Sequence, residues 1–195
     1  MRTTSRPVLH TLVCSTRPGR VGSSVGRWAQ SLAEAHGGFD ARLLELADQG
    51  LPVFDEPEHP RLGRYVHAHT QRWSRSVDAA DAFVFVMPEY NYAPPAAWLN
   101  AMTFLVREWQ YKPAAFVSYG GASGGVRGVQ IARQIVTTFR MVPILEGIAL
   151  PWVARQIEDG RLMVAEDTAA AGHAMLDELL RWAQVLPALR APRPA

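Results

Sequence analysis

The chain has 195 residues, a formal net charge of +2, and a composition that is 48% hydrophobic and 19% charged. That balance is globular, and it excludes both a charged disordered segment and a membrane-spanning run. Lys112 is the only lysine among 20 basic residues, and the arginines are scattered rather than striped, so no nucleic-acid surface is expected.

One domain over 1–195 is expected, ordered from about residue 7 to 186, with a flexible Pro/Arg tail at 190–195. Met1–Pro7 lacks the apolar segment of a signal peptide, and Cys14 is the single cysteine, so a cytoplasmic protein without an intrachain disulfide is expected.

Val8–Val13 is short, β-branched and apolar, and reads as a buried strand. Cys14–Gly26, rich in Ser, Thr, Arg and Gly, leads to helical spacing at Trp28–Ala33. A strand handing over to a helix there presents unpaired N–H groups and a dipole that favours an anion. Hydroxyls of Ser15, Thr16, Ser23 and Ser24, with Arg17 and Arg20 for charge, suit phosphate oxygens. The stretch reads either as a phosphate cradle or as an ordinary solvated turn. It is no nucleoside triphosphate loop, and Gly19, Gly22 and Gly26 do not follow the dinucleotide fingerprint.

Gly37-Gly38 stops the helix, and Asp40–Leu46 is a second strand. The Pro- and Gly-rich stretch 48–64 is a long loop, with Asp55, Glu56 and Glu58 read as a solvated rim or, alternatively, as part of a flap over a ligand or partner subunit. Val66–Ala80 is helical, placing His67 and His69 on different sides. Ala82–Met87 is the clearest buried strand and runs into the proline-bracketed loop Pro88–Pro95. A helix over Ala96–Trp109, a strand over Pro113–Tyr119, the glycine-rich Gly120–Gly125 and a helix over Gln130–Arg140 follow. Met141–Leu145 begins a fifth strand, Glu158–Gly160 is a turn, and Thr168–Val185 is a final amphipathic helix.

Five strand–helix alternations imply an α/β fold with a parallel sheet covered on both faces. The loops 14–24, 88–95 and 119–125 each follow a strand, so they meet at one carboxyl edge, where such sheets bind ligands. Tyr90 and Tyr92 provide flat surfaces or cap the core, Asn91 and the backbone can bond a ring edge, and the third loop's glycines admit something bulky. The six histidines show no ligand pattern, and no Gly-x-Ser-x-Gly elbow supports hydrolysis, so neither a metal site nor a catalytic triad is expected.

Ser15-Thr-Arg-Pro-Gly-Arg-x-Gly22, Pro88-Glu-Tyr-Asn-Tyr92 and Val117-Ser-Tyr-Gly-Gly-x-Ser-Gly-Gly125, in this order, resemble the NADPH-dependent FMN reductase family, over roughly residues 8–185. Arg107-Glu-Trp109 and Lys112-Pro113 resemble the family's link into its fourth strand. The resemblance implies a flavodoxin-like three-layer α/β/α fold, with a five-stranded parallel sheet in the order 2-1-3-4-5. It implies an FMN-dependent NAD(P)H oxidoreductase that passes hydride in a ping-pong cycle to a quinone, azo, nitro, flavin or metal-oxyanion acceptor. Ser15, Arg17, Arg20, Gly22 and Ser23 would hold the FMN phosphate. Pro88, Glu89, Tyr90 and Asn91 would lie against the ring, and Ser118, Gly120, Gly121 and Gly124 would face it from the third loop. No protein side chain would be catalytic, because the flavin carries the chemistry. NADPH or NADH would be co-substrate, and the protein would form a homodimer or homotetramer, an arrangement that the apolar Trp98–Met102 helix suits.

Cys14 replaces the family's usual glycine and is expected to be a small buried spacer rather than a reactive thiol. Leu99 and Thr103 stand where the family often has Lys and Asp, which bears on that helix's contacts rather than on the flavin site. The alternative function is a non-enzymatic FMN-binding electron carrier or redox-sensing module. Flavodoxins are strongly acidic and lack the arginine pair of the first loop, so the carrier reading fits this chain less well.

Overall fold

The computed structural model describes residues 6–190. Five strands form one parallel sheet: β1 (Val8–Val13), β2 (Asp40–Glu45), β3 (Ala82–Pro88), β4 (Pro113–Tyr119) and β5 (Val142–Leu150). Their order is β2-β1-β3-β4-β5, as expected. β1 meets β3 with Leu9 opposite Ala82, and β3 meets β4 with Phe85 opposite Phe116. Parallel pairing puts the loops after β1, β3, β4 and β5 at one edge.

Side chains of β3 alternate between two cores. Ala82, Val84 and Val86 face α1 (Gly22–His36) and the long helix near the C-terminus (Glu166–Val185). Phe83, Phe85 and Met87 face the other layer, made of α2 (Ala68–Asp78), α3 (Ala96–Thr103) and α4 (Val126–Thr138). In chain order the helix Glu166–Val185 is α5 and a short turn Pro187–Arg190 is α6, while β6 (Ile157–Glu158) and β7 (Arg161–Leu162) close a hairpin on the expected turn. None of the helices described is long and apolar enough to cross a membrane.

Several boundaries differ from the sequence reading. α1 begins at Gly22, so the first loop is shorter than expected, because Gly22 and Gly26 leave no room for side chains against Tyr119 and Val13. α3 ends at Thr103, and Arg107–Trp109 is a separate 3-10 turn that brings Trp109 into the core. Trp98 and Met102 are buried in this chain's own core, so they supply no intersubunit surface; of that stretch Leu99 is exposed. Residues 191–195 of the expected tail lie outside the described residues, while Arg190 pairs with Asp81 at 3.1 Å.

The 48–64 stretch packs on α3 and the start of α2, with Asp55 exposed and Glu58 half-exposed as in a solvated rim, whereas Glu56 is buried. Asn100 accepts from the Phe54 N–H at 2.9 Å and donates to the Pro52 carbonyl at 2.7 Å. Buried Glu56 accepts the N–H groups of Val66 and His67, at 2.9 and 3.1 Å, just before α2 starts. His67 is the cap residue in extended conformation, so its ring stacks on His69 at 5.2 Å rather than pointing to another side. Lys112 is buried, and its ammonium donates to the carbonyls of Val77 and Asp78, closing the C-terminal end of α2.

His10 makes the acid stability of the fold predictable. It is buried in β1, edge-on to Phe83. Burial, helped by the charges of Arg42 and Lys112, pushes its pKa down to about 4 from 6.5. The unfolded chain therefore takes up a proton below pH 6.5 that the native chain refuses until about pH 4. Stability falls with pH across that window, by at most about 1.4 kcal/mol per pH unit. His10→Leu is expected to flatten this limb in urea titrations run between about pH 6.5 and 5, above the range where carboxylates titrate. An unchanged acid slope contradicts the assignment.

Candidate functional site

The first loop leaves β1 as an extension of the strand, with the Cys14 N–H donating to the Val86 carbonyl at 3.0 Å. Cys14 is fully buried, which pushes its thiol pKa up, as a spacer requires. A turn closes where the Arg20 N–H meets the Arg17 carbonyl, and α1 starts two residues later. Val21, its cap residue, makes no side-chain capping bond, so the first-turn N–H groups at Gly22 and Ser23 are left for another acceptor.

Ser15 is fully buried beside this opening and shares a 2.7 Å hydrogen bond with the Tyr90 hydroxyl, which ties the first loop to the second. Thr16 and Arg17 are exposed, and among the described residues the Arg17 guanidinium forms no ion pair. Arg20 is committed elsewhere: its Nε and Nη2 donate to Glu45 Oε2 at 3.0 and 2.9 Å, fastening the loop to the end of β2. Ser23 sits in the first turn of α1, whereas Ser24 turns away and donates to the Gly160 carbonyl at 2.7 Å.

Beneath the loop lies Tyr119, the last residue of β4. Its hydroxyl is buried against Gly22 and has no hydrogen-bond partner among the described residues. Burial holds this hydroxyl firmly protonated, so it is a donor without an acceptor. An uncapped helix start, an unpaired buried donor, an available arginine and the Ser15 hydroxyl form a cradle that suits a phosphate monoester.

The second loop is a tight reversal in which Tyr90 and Ala93 exchange backbone hydrogen bonds, both 2.9 Å. Its central residues, Asn91 and Tyr92, have φ of 51° and 68°. Left-handed backbone at two residues with side chains is a cost the surroundings must hold. Arg127 does part of this, its guanidinium lying 4.4 Å over the Tyr92 ring.

Glu89 joins the second loop to the third. Its carboxylate accepts from the N–H groups of Arg127 and Gly128, the Arg127 guanidinium and the Ser123 hydroxyl, at 3.0–3.3 Å. Burial alone would raise its pKa; these donors outweigh it and hold the group below 4.5, charged at the start of α4. Gly121 stays open at the surface side of the third loop, while Gly120 packs against the backbone of Gly125 and Gly124 against Pro151 and Leu150. Ser118 lies apart from this surface, buried within the sheet with its hydroxyl on the Ile148 carbonyl at 3.3 Å.

The structure thus brings together Ser15, Arg17, Gly22, Ser23, Pro88–Asn91, Gly120 and Gly121 at one edge, with Arg20 and Ser118 behind it. Tyr119 was not among the expected site residues. The period of two along β4 places Tyr119 on the α1 face with Ala115 and Val117, a signal the sequence does carry. A cavity of about 570 Å³, lined by Phe54, Pro60, Thr103 and Phe139 among others, lies at the opposite ends of α3 and α4. Its acids are already used, Glu56 at the α2 start and Glu58 on Arg64.

Residues 8–152 match the family described as NADPH-dependent FMN reductase. The chain is 33% identical over 148 residues to an NAD(P)H-dependent FMN reductase of Schizosaccharomyces pombe, covering 74% of each chain. It is 43% identical over 115 residues to a probable NADPH:quinone oxidoreductase of Oryza sativa, covering 52% of this chain and 57% of that one. Among solved structures it resembles FerB, a flavoenzyme NAD(P)H:(acceptor) oxidoreductase from Paracoccus denitrificans. The TM-score is 0.74 at 20% identity, over 91% of this chain and 97% of the other.

Proposed function

The chain belongs to the NADPH-dependent FMN reductase family and is an FMN-dependent NAD(P)H oxidoreductase, and we propose that its three carboxyl-edge loops hold the FMN. The observation that carries this reading is the cradle of Ser15, Arg17, the open start of α1 and the unpaired Tyr119 hydroxyl. Ser15, Arg17 and the N–H groups of Gly22 and Ser23 bind the phosphate. Arg20 positions the loop through Glu45. Pro88, Glu89, Tyr90 and Asn91 support the ring, largely through backbone groups. Gly121 keeps a side chain out of its way, Gly120 and Gly124 let the third loop fold closely on Gly125 and on Leu150–Pro151, and Ser118 stiffens the strand behind them.

When bound, FMN supplies the redox chemistry, taking hydride from the reduced nicotinamide and returning two electrons to a second substrate at the same face. No acid, base or nucleophile of the chain is required; its residues bind, orient and shield. The second substrate is a small molecule. A quinone is the acceptor we favour, because the rice relative is named a quinone oxidoreductase. The non-enzymatic carrier or sensor reading gives way, since the relatives are named as enzymes. A cytoplasmic homo-oligomer belongs to the same proposal, supported by the lone buried cysteine and by exposed Leu99, Val126 and Ile131 on α3 and α4.

Steady-state kinetics with NADPH and a naphthoquinone test this function. The expected pattern is parallel double-reciprocal lines, each substrate leaving before the next arrives. Intersecting lines, or no NADPH oxidation by FMN-loaded protein, overturn it.

A further inference from the structure

One segment at the same edge has no part in the scheme above, the turn Pro151–Arg155 that follows β5. It is clipped to the third loop by backbone bonds. The Trp152 N–H donates to the Gly121 carbonyl at 2.9 Å and the Val153 N–H to the Gly120 carbonyl at 3.3 Å, while the Gly120 N–H donates to Leu150 at 3.3 Å. Trp152 is held with φ of 51° and is 50% exposed. Its ring stands beside Gly121, close enough that a Cβ there would lie 3.9 Å from Cζ3. The Arg155 guanidinium sits 4.7 Å over the same ring, and the Arg155 N–H donates to the Trp152 carbonyl at 2.9 Å.

Core packing does not account for an indole in this position. Its ring is half in solvent, its backbone is in a conformation that favours glycine, and it borders the glycine that leaves the third loop open. A fixed electron-rich ring with a cation on one face is a stacking surface for a flat, electron-poor molecule that carries negative charge. We propose that Trp152 and Arg155 form the outer wall of the second-substrate site, selecting planar aromatic acceptors with an anionic substituent. The proposal rests on reading the three loops as the FMN site. Trp152 stacks on the acceptor ring, and Arg155 meets a sulfonate or carboxylate at its edge. Compact acceptors gain nothing from the stacking wall.

The test is binding without turnover. Oxidised, FMN-loaded protein, with no NADPH present, is titrated with a naphthoquinone and with its sulfonated derivative, and fluorescence quenching gives the affinities. Trp152→Ala and Trp152→Gly are expected to weaken both quinones about tenfold. Glycine is comfortable at this φ, so a loss shared by both variants belongs to the ring rather than to folding. Arg155→Ala is expected to weaken the sulfonated quinone about fivefold and the plain one less than about twofold. Unchanged quinone affinity in both Trp152 variants overturns the proposal. So does a loss of FMN affinity in Trp152→Gly, which would make the indole part of the cofactor site. A wild-type protein that fails to hold FMN overturns the underlying reading along with it.

Discussion

Replacing Glu89 with glutamine is expected to cost about 2 kcal/mol of stability and to weaken FMN binding at least tenfold. The carboxylate ties the second loop to the third loop and to the start of α4. It takes four donors from Ser123, Arg127 and Gly128, and its side chain is only 10% exposed. Glutamine keeps the shape but loses the charge opposite a helix N-terminus, and it turns one acceptor oxygen into a donor facing other donors. Alanine is expected to be worse, since it leaves the Arg127 and Gly128 N–H groups without their partner. The effect on FMN follows because Tyr90 and Asn91 stand immediately beyond this anchor. The pKa of Glu89 is depressed, so its contribution is complete above pH 4.5 and fades as pH falls through the lowered folded value. Urea unfolding and FMN titration at neutral pH check the prediction. Stability and affinity both unchanged would show that the link does not organise the site.

Gly125→Ala is expected to be the most damaging single methyl group in the third loop. Gly125 has φ of 87°, and a Cβ there would lie 2.8 Å from the Tyr119 carbonyl oxygen, 2.9 Å from the Tyr119 nitrogen and 3.0 Å from Ser118 Cβ. Backbone at the end of a central strand cannot move aside, so strain adds to the unfavourable φ, at roughly 3 kcal/mol in all. For a chain of this size that lowers the melting temperature by about 6–12 °C. Gly160→Ala is the control. Its φ is 75° but nothing lies within 4 Å, so only the backbone preference of roughly 1 kcal/mol is lost. Equal effects at the two positions would contradict the packing argument.

Much of this architecture is legible from residue pattern. The uninterrupted apolar run of β3 marks the centre of the sheet, and five strand–helix alternations are enough to bring the loops after β1, β3 and β4 to one edge. Contacts between distant residues are what the pattern does not carry. Glu56 reads as a solvated acid, yet it holds the N–H groups of Val66 and His67 just before α2. The charge of Arg20 looks available to a ligand until β2 delivers Glu45 beside it. Gly22, Ser23 and Ser24 are poor helix formers, yet α1 starts there, because the close approach of Val13 and Tyr119 overrides that preference. Nothing near Trp152 in the sequence announces that it stands beside Gly121, since the β4–β5 pairing is what brings the two within hydrogen-bonding reach.

The central claim is that the first loop takes the phosphate end of FMN, and it is tested most directly by comparing FMN with riboflavin. FMN is expected to bind wild-type protein about a hundredfold or more tighter than riboflavin. Arg17→Ala is expected to remove much of that difference while leaving riboflavin affinity unchanged. Equal affinity for the two flavins, or an Arg17→Ala protein that keeps its full preference for FMN, would contradict the assignment of this loop.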